Sequence, residues 1–389
     1  MQQKKLPIDY TMLFLIGCLV IFGLFAIYSG SGQYASHDPT TYIKRQIMFF
    51  GISLIVMAVI AYFDFELLER WTLVFYILGI IMLLMVPFSP LGVGRNGAER
   101  WINLKYIELQ PSEFMKIFLV LHISTILAKA GKYRLSFRES IPITLKIGAY
   151  TAIPLFLILK QPDLGTALMI IFTVFALIFT SSISLKMVMT LITMGLTGIG
   201  TLVYLYFNHF EIFTKIIADH QLARILGWLD PTAHSSGYSY QTQQALLGIG
   251  AGQLTGSGFT QGFQVQSGRV PEAQTDFIFA VIGEEFGFIG TSLLVILFFL
   301  LIYRIITIAF HANSLFGVYI CIGIIGLFAF QIFQNIGMTL GLMPVTGLAL
   351  PFVSYGGSSL LTNMMAIGLV TSVHLRTKEY MFSNDETIR

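Results

Sequence analysis

Two cysteines in 389 residues, Cys18 and Cys321, are too few for a disulfide framework. Both fall inside apolar runs, where they read as small core residues rather than a metal or redox site. Charge is scarce as well. Acidic and basic residues together make up 11% of the chain and the formal net charge is +3. No basic tract carries interleaved aromatics, so nothing points to a nucleic-acid partner. The soluble-enzyme signatures are missing: there is no P-loop, dinucleotide fingerprint, zinc-ligand spacing or nucleophile elbow. No internal repeat and no linker divides the chain, which reads as one domain over residues 1–389.

Apolar residues are abundant. They make up 55% of the chain, and the mean hydropathy of +0.77 is too high for a soluble fold of this length. Apolar runs recur near the roughly 20 residues that cross a bilayer as helix. They are continuous rather than alternating, which excludes a β-barrel. The fold class expected is all-α and polytopic. About ten spans are expected, near 10–28, 47–63, 72–88, 113–128, 142–159, 164–180, 187–207, 276–303, 316–340 and 353–375. Lys4 and Lys5 precede the first run as in a signal sequence. The run is too long for a typical h-region, so it reads as a retained helix.

An even number of spans places both termini on one side. Short-loop Lys and Arg, including Arg70, Lys132, Arg134, Arg138, Lys186 and Arg304, favour that side as the cytoplasmic one. Three outward segments follow: a loop near 89–112, a large loop near 208–275, and a Pro/Gly-rich crossing at 343–358. The polar residues 380–389 read as a disordered tail.

Acids inside apolar runs are costly and usually mark polar cavities. The segment VPEAQTDFIFAVIGEEFGFIG holds three. Asp276 opens span eight at the outer surface, where partial burial would raise its pKa into the range of a general base. Helix capping is the bland alternative. Glu284 and Glu285 lie roughly 12–13 Å deeper on an ideal helix, about 80° from Asp276 and opposite to it. They read as structural acids packed among neighbouring helices.

Four further groups are candidates for contact with substrate. Glu113 and Lys116 share a helix face, either as an internal ion pair or as substrate contacts. Deeper in the same helix, His122 reads as a core residue. Lys160 and Asp163 flank Pro162 in KQPDLGT, where Asp163 fits a helix cap and Lys160 fits a phosphate. GRNGAERW supplies Arg95, Arg100 and Trp101, a guanidinium pair for phosphate oxygens and an indole for a sugar face or the interface. SYGGSS, beginning at Ser354, is either a phosphate-cradling backbone or a tight turn.

These stretches, together with QPSEFMKI and NIGMTLGLMPVTGLALPFVSYGGSSLL, resemble in order the SEDS family of shape, elongation, division and sporulation proteins. The wording MTLGLMPVTG resembles the RodA branch more than the FtsW branch. Gln274 departs from the family, where His often precedes Thr-Asp-Phe. The resemblance implies a peptidoglycan glycosyltransferase that polymerises lipid II outside the cytoplasmic membrane during elongation. It implies as partners a class B penicillin-binding protein and other elongation-machinery membrane proteins. It also implies that Asp276 is catalytic and that Trp101 is functionally important.

An α-linked donor and a β-1,4 product require one inversion, so a single base suffices. The departing pyrophosphate needs positive charge, for which Arg95, Arg100, Lys116 and Lys160 are candidates. No tightly bound cofactor is expected. A divalent cation, Mg or Mn, is the expected helper if one takes part, held through Glu113 or Asp163. The rival functions are a lipid II flippase, which usually carries repeats absent here, and a scaffold that docks a transpeptidase.

Overall fold

The computed structural model describes residues 9–32, 39–89, 92–95, 98–103, 108–217, 219–229 and 237–380. The expected tail beyond Tyr380 lies outside them. In chain order the elements are α1 (Tyr10–Ser31), α2 (Pro39–Tyr62), α3 (Phe65–Leu68) and α4 (Thr72–Phe88), then β1 (Gly92–Arg95), β2 (Ala98–Asn103) and β3 (Glu108–Leu109). There follow α5 (Pro111–Ala130), α6 (Phe137–Lys160), α7 (Leu164–Thr180), α8 (Leu185–Asn208), α9 (Phe210–Ile216), α10 (Asp219–Leu229), α11 (Tyr238–Gly252) and α12 (Phe263–Gln266). The chain closes with α13 (Ile278–Phe310), α14 (Leu315–Thr339) and α15 (Gly357–Tyr380).

Helix starts follow local chemistry. Asp9, Ser136, Asp163, Ser184 and Ser314 each accept a backbone N–H of the first turn, and Ser136 completes a reciprocal capping box with Glu139. Seven helices, α1, α2, α6, α8, α13, α14 and α15, are long and apolar enough to cross a membrane. The shorter α4 and α7 are also apolar. The tenth expected span, α5, carries Glu113, Lys116, His122 and Lys129. It tolerates them because it is buried from Pro111 to Leu127, packed against α4, α7 and α14. His122 stacks edge-on with Tyr150, ring centroids 4.4 Å apart, and faces Tyr76, as a core histidine would.

Two ion pairs, one near each chain terminus, tie α1 to α13 and α15 to the α2–α3 turn. Asp9 pairs with Arg304 at 2.7 Å, and Arg376 pairs with Asp64 at 3.3 Å while donating to the last carbonyls of α2.

Three features refine the sequence reading. The fold is all-α as expected, and the loop near 89–112 adds one small three-stranded antiparallel sheet, β1-β2-β3. Span eight begins at Ile278, leaving Asp276 in the preceding turn, so the ideal-helix angles to Glu284 and Glu285 do not apply. The segment near 208–275 holds the helices α9 to α12, and part of it packs beside the bundle. There, Phe259 packs against Phe25 and Tyr28, inside the last two turns of α1.

That part fills a break in α13. Gly287 has φ 62° and ψ −159°, which interrupts the helix. The freed carbonyls of Glu284 and Glu285 accept the N–H groups of Ser257 and Gly258, at 2.9 and 3.1 Å. The freed N–H groups of Phe288 and Ile289 donate to the carbonyls of Gln253 and Leu254, at 2.9 and 3.1 Å. Irregular backbone is thus satisfied by protein, as membrane depth demands. Glu284 and Glu285 are tied to this segment. The Glu284 carboxylate accepts the Gln264 and Val265 N–H groups at the start of α12, and Glu285 accepts from the Ser29 hydroxyl and from Gln266.

Candidate active site

At the end opposite the termini, a cavity of about 940 Å³ opens among β2, β3, α5, α7, α10, the turn before α13 and the crossing before α15. Its walls include Arg100, Trp101, Glu113, Asp163 and Asp276, five of the residues singled out by sequence. The volume lies in the range of small-molecule sites.

Asp276 sits in the turn from Pro271 to Phe277, where the Glu272 carbonyl accepts the N–H groups of Thr275 and Phe277. Asn335 Nδ2 donates to the Asp276 carbonyl at 2.8 Å and to the Leu348 carbonyl at 2.7 Å. This single amide ties the turn to the crossing segment. Arg224 on α10 holds the other side of that segment, donating to the carbonyls of Val345 and Thr346 at 3.1 and 3.2 Å. Between these anchors Gly347 adopts φ 76° and lies against the Asp276 carboxylate. Tyr355 N–H donates to the Gln274 carbonyl, closing the frame.

The surrounding protein raises the Asp276 pKa to about 6. Desolvation is the largest cause, and the negative charge of Glu272 adds to it. Arg100 and Arg224 act in the opposite direction. A carboxylate poised near pH 6 is a stronger base than an exposed one and still ionised at neutral pH.

Asp163 caps α7 and also serves as a hub. Its carboxylate accepts from Thr166 N–H and hydroxyl, from Ser112 Oγ and from Gln110 Nε2, all between 2.9 and 3.2 Å. Arg100, carried on β2, reaches the Pro162 carbonyl at 2.7 Å and stands 3.9 Å from Asp163. Capping and cavity building coincide in one residue. Glu113 forms a buried 2.7 Å pair with Lys116 and accepts from the Thr362 hydroxyl, so Glu113 reaches the cavity while Lys116 stays behind it.

Tyr355 to Ser359 of SYGGSS line the cavity, whereas Lys160 and Ser354 do not. Lys160 is exposed, with its ammonium over the Phe156 ring at 4.8 Å. Ser354 is buried and accepts the Leu350 N–H at 2.8 Å, so it stiffens the crossing from behind. Ser358 ties β3 to α15, accepting from Gln110 N–H and donating to the Glu108 carbonyl. The side chain of Arg95 lies outside the described residues.

Glu113 and Asp163, the acids expected to hold a divalent cation, are both engaged by other groups. Among the described residues, no three His, Cys, Asp or Glu side chains converge on a metal site. This donor set does not fit a cation, and no step is routed through one.

Sequence reasoning missed Arg224, Glu272, Asn335 and Gly347, and also Arg45 of α2, which lines the cavity. Arg224 carried a signal, as an arginine inside the amphipathic stretch HQLARILGW. Asn335 and Gly347 act through backbone contacts that only the fold assembles.

Residues 10–379 match the family model described as "Cell cycle protein", covering FtsW, RodA and SpoVE. The chain is 35% identical over 376 residues to stage V sporulation protein E of Bacillus subtilis (strain 168), covering 96% of this chain and 98% of that protein. It is 33% identical over 378 residues to peptidoglycan glycosyltransferase MrdB of Escherichia coli (strain K12), covering 96% and 95%. Among solved structures it resembles a chain of a peptidoglycan synthase complex that coordinates polymerization and crosslinking, with a TM-score of 0.76, 27% identity and coverage of 98% and 100%. It also resembles the Thermus thermophilus rod shape determining protein RodA, with a TM-score of 0.66, 27% identity and coverage of 94% and 96%.

Proposed function

Because the chain belongs to the FtsW, RodA and SpoVE family, whose relatives include peptidoglycan glycosyltransferases, we propose that it polymerises lipid II with Asp276 as the general base. The observation that carries this reading is the setting of Asp276: a carboxylate against Gly347, on a turn that Asn335 anchors through the Asp276 backbone carbonyl, with its pKa raised to about 6, on a cavity that also presents Arg100, Arg224 and Trp101.

In the proposed reaction the GlcNAc 4-hydroxyl of lipid II attacks the anomeric carbon of the lipid-linked glycan chain. A new C–O bond forms on the face opposite the departing oxygen, which inverts the centre to β-1,4. The bond to pyrophosphate breaks, its electron pair leaves with undecaprenyl pyrophosphate, and the hydroxyl proton passes to Asp276. Positioned base catalysis of this kind contributes roughly 10²–10⁴-fold. Arg100 and Arg224 supply the positive field for the departing phosphates. Trp101 offers a ring face to a sugar.

The proposed location is the cytoplasmic membrane, with both termini inside and the Asp276 end outward, where lipid-linked sugar is used. A class B penicillin-binding protein is its proposed crosslinking partner, within the machinery of cell-wall elongation.

The test gives the purified protein labelled lipid II in detergent with its cognate transpeptidase, and in parallel measures lipid II transport in liposomes. Long glycan chains are expected from the wild type. Transport without any polymer would favour a flippase and overturn the reading.

A further inference from the structure

Lys146 is exposed on α6, nine residues from the helix start, roughly 14 Å along the axis. A lysine on the outward face of a membrane-spanning helix is costly unless its ammonium reaches the interface. Side chains on a helix lean toward its N-terminus, so Lys146 leans toward the end of the bundle that carries the α5–α6 turn.

That end is strongly basic. Residues 129–146 hold Lys129, Lys132, Arg134, Arg138 and Lys146 with one acid, Glu139. Glu139 is already engaged by the backbone N–H and hydroxyl of Ser136, both at 2.8 Å. The neighbouring α7–α8 turn leads into α8, where Lys186 is exposed and no acid is near in sequence. The two turns are fixed to one another, with Leu135 N–H donating to the Ser182 carbonyl at 2.8 Å and Ser184 N–H to Ser140 Oγ at 3.0 Å. Lys129 and Lys146, from different helices, are both close enough to His122 to act on it electrostatically. Arg138 and Lys146 lie about 80° apart around α6, on the same exposed half. Tyr133 is 88% exposed beside them, an aromatic suited to the headgroup layer.

We propose that this basic surface binds the headgroup of an anionic phospholipid in the leaflet on the side of the termini. Lys146 decides between occupants. An acidic soluble protein reaches the turns but not the membrane face of α6, whereas a lipid phosphate reaches both. The site is separate from the cavity around Asp276 and independent of the function assigned to it.

The test uses the full-length protein in detergent, titrated with dioleoyl phosphatidylglycerol or dioleoyl phosphatidylcholine, with bound lipid counted by native mass spectrometry. Phosphatidylglycerol is expected to be retained preferentially. Each neutralised cation is expected to weaken its retention roughly fivefold. Lys146→Gln should therefore lose it roughly fivefold, while Lys146→Arg holds it. Lys132→Gln/Arg134→Gln, on the exposed turn where folding is not at stake, provides a second reading and should lose more. Equal retention by wild type and these variants would overturn the proposal. So would displacement of the lipid by poly-glutamate that binds wild type and Lys146→Gln equally well, an outcome that marks a protein-docking surface.

Discussion

Gly347 lies against Asp276: a methyl group placed on its Cα would stand 3.2 Å from Asp276 Oδ2. Its φ of 76° is also one that residues with a side chain rarely adopt. Gly347→Ala is expected to add about 1–3 kcal/mol of backbone strain and to push the carboxylate out of line. A misplacement near 1 Å costs about 100-fold in rate. Turnover should fall by that order while the protein still folds. Polymer formation at saturating lipid II, with the melting temperature as a control, checks this outcome.

Asn335→Ala removes the amide that serves two carbonyls, those of Asp276 and Leu348. Leaving a buried acceptor unsatisfied costs about 1–3 kcal/mol. The melting temperature should drop and turnover should fall with it, whereas Asn335→Asp restores neither, because a carboxylate cannot donate. Thermal melts and initial rates on the same preparations decide the point.

The raised pKa of Asp276 gives a pH signature with a definite sign. The base works as the carboxylate, so turnover should rise with pH through about 6 and then level. Stability runs the other way. A carboxyl whose folded pKa exceeds the ordinary 3.8 contributes stability that is present below 3.8 and is lost as pH rises through about 6. Asp276→Asn should therefore melt above wild type at pH 8, with the gap closing as pH falls toward 4.

The buried pair of Glu113 and Lys116 predicts non-additive behaviour. Glu113→Gln leaves the Lys116 ammonium buried without its counter-charge, and breaking such a pair costs about 3–5 kcal/mol. The double variant Glu113→Gln/Lys116→Met should recover much of that stability. A double-mutant cycle of melting temperatures measures the coupling.

Much of this was legible in the sequence. Ten long apolar helices followed from run length and hydropathy, including α5, whose Glu113 and Lys116 read as an internal pair. Asp276 and Glu113 stood out because acids at apolar helices are costly and need a reason. Arg100 and Trp101 stood out because GRNGAERW sets a guanidinium pair beside an indole, and Asp163 because it fits the cap of a helix after Pro162. Contacts between distant segments left no such trace. The Gly-rich stretch GIGAGQLTGSG read as part of an outward loop, because the break at Gly287 that it fills is visible only in three dimensions. Lys116 and Lys160 carry the right charge for phosphate, yet one points behind the cavity wall and the other rests on Phe156. Composition sets charge, and packing sets direction.

The most direct measurement is the initial rate of lipid II polymerisation by Asp276→Asn, which keeps the shape of the side chain and removes its basicity. The account predicts a loss of at least about 100-fold at pH 7.5, with folding intact. A rate within a few-fold of wild type would contradict it, and would mean that another group takes the proton.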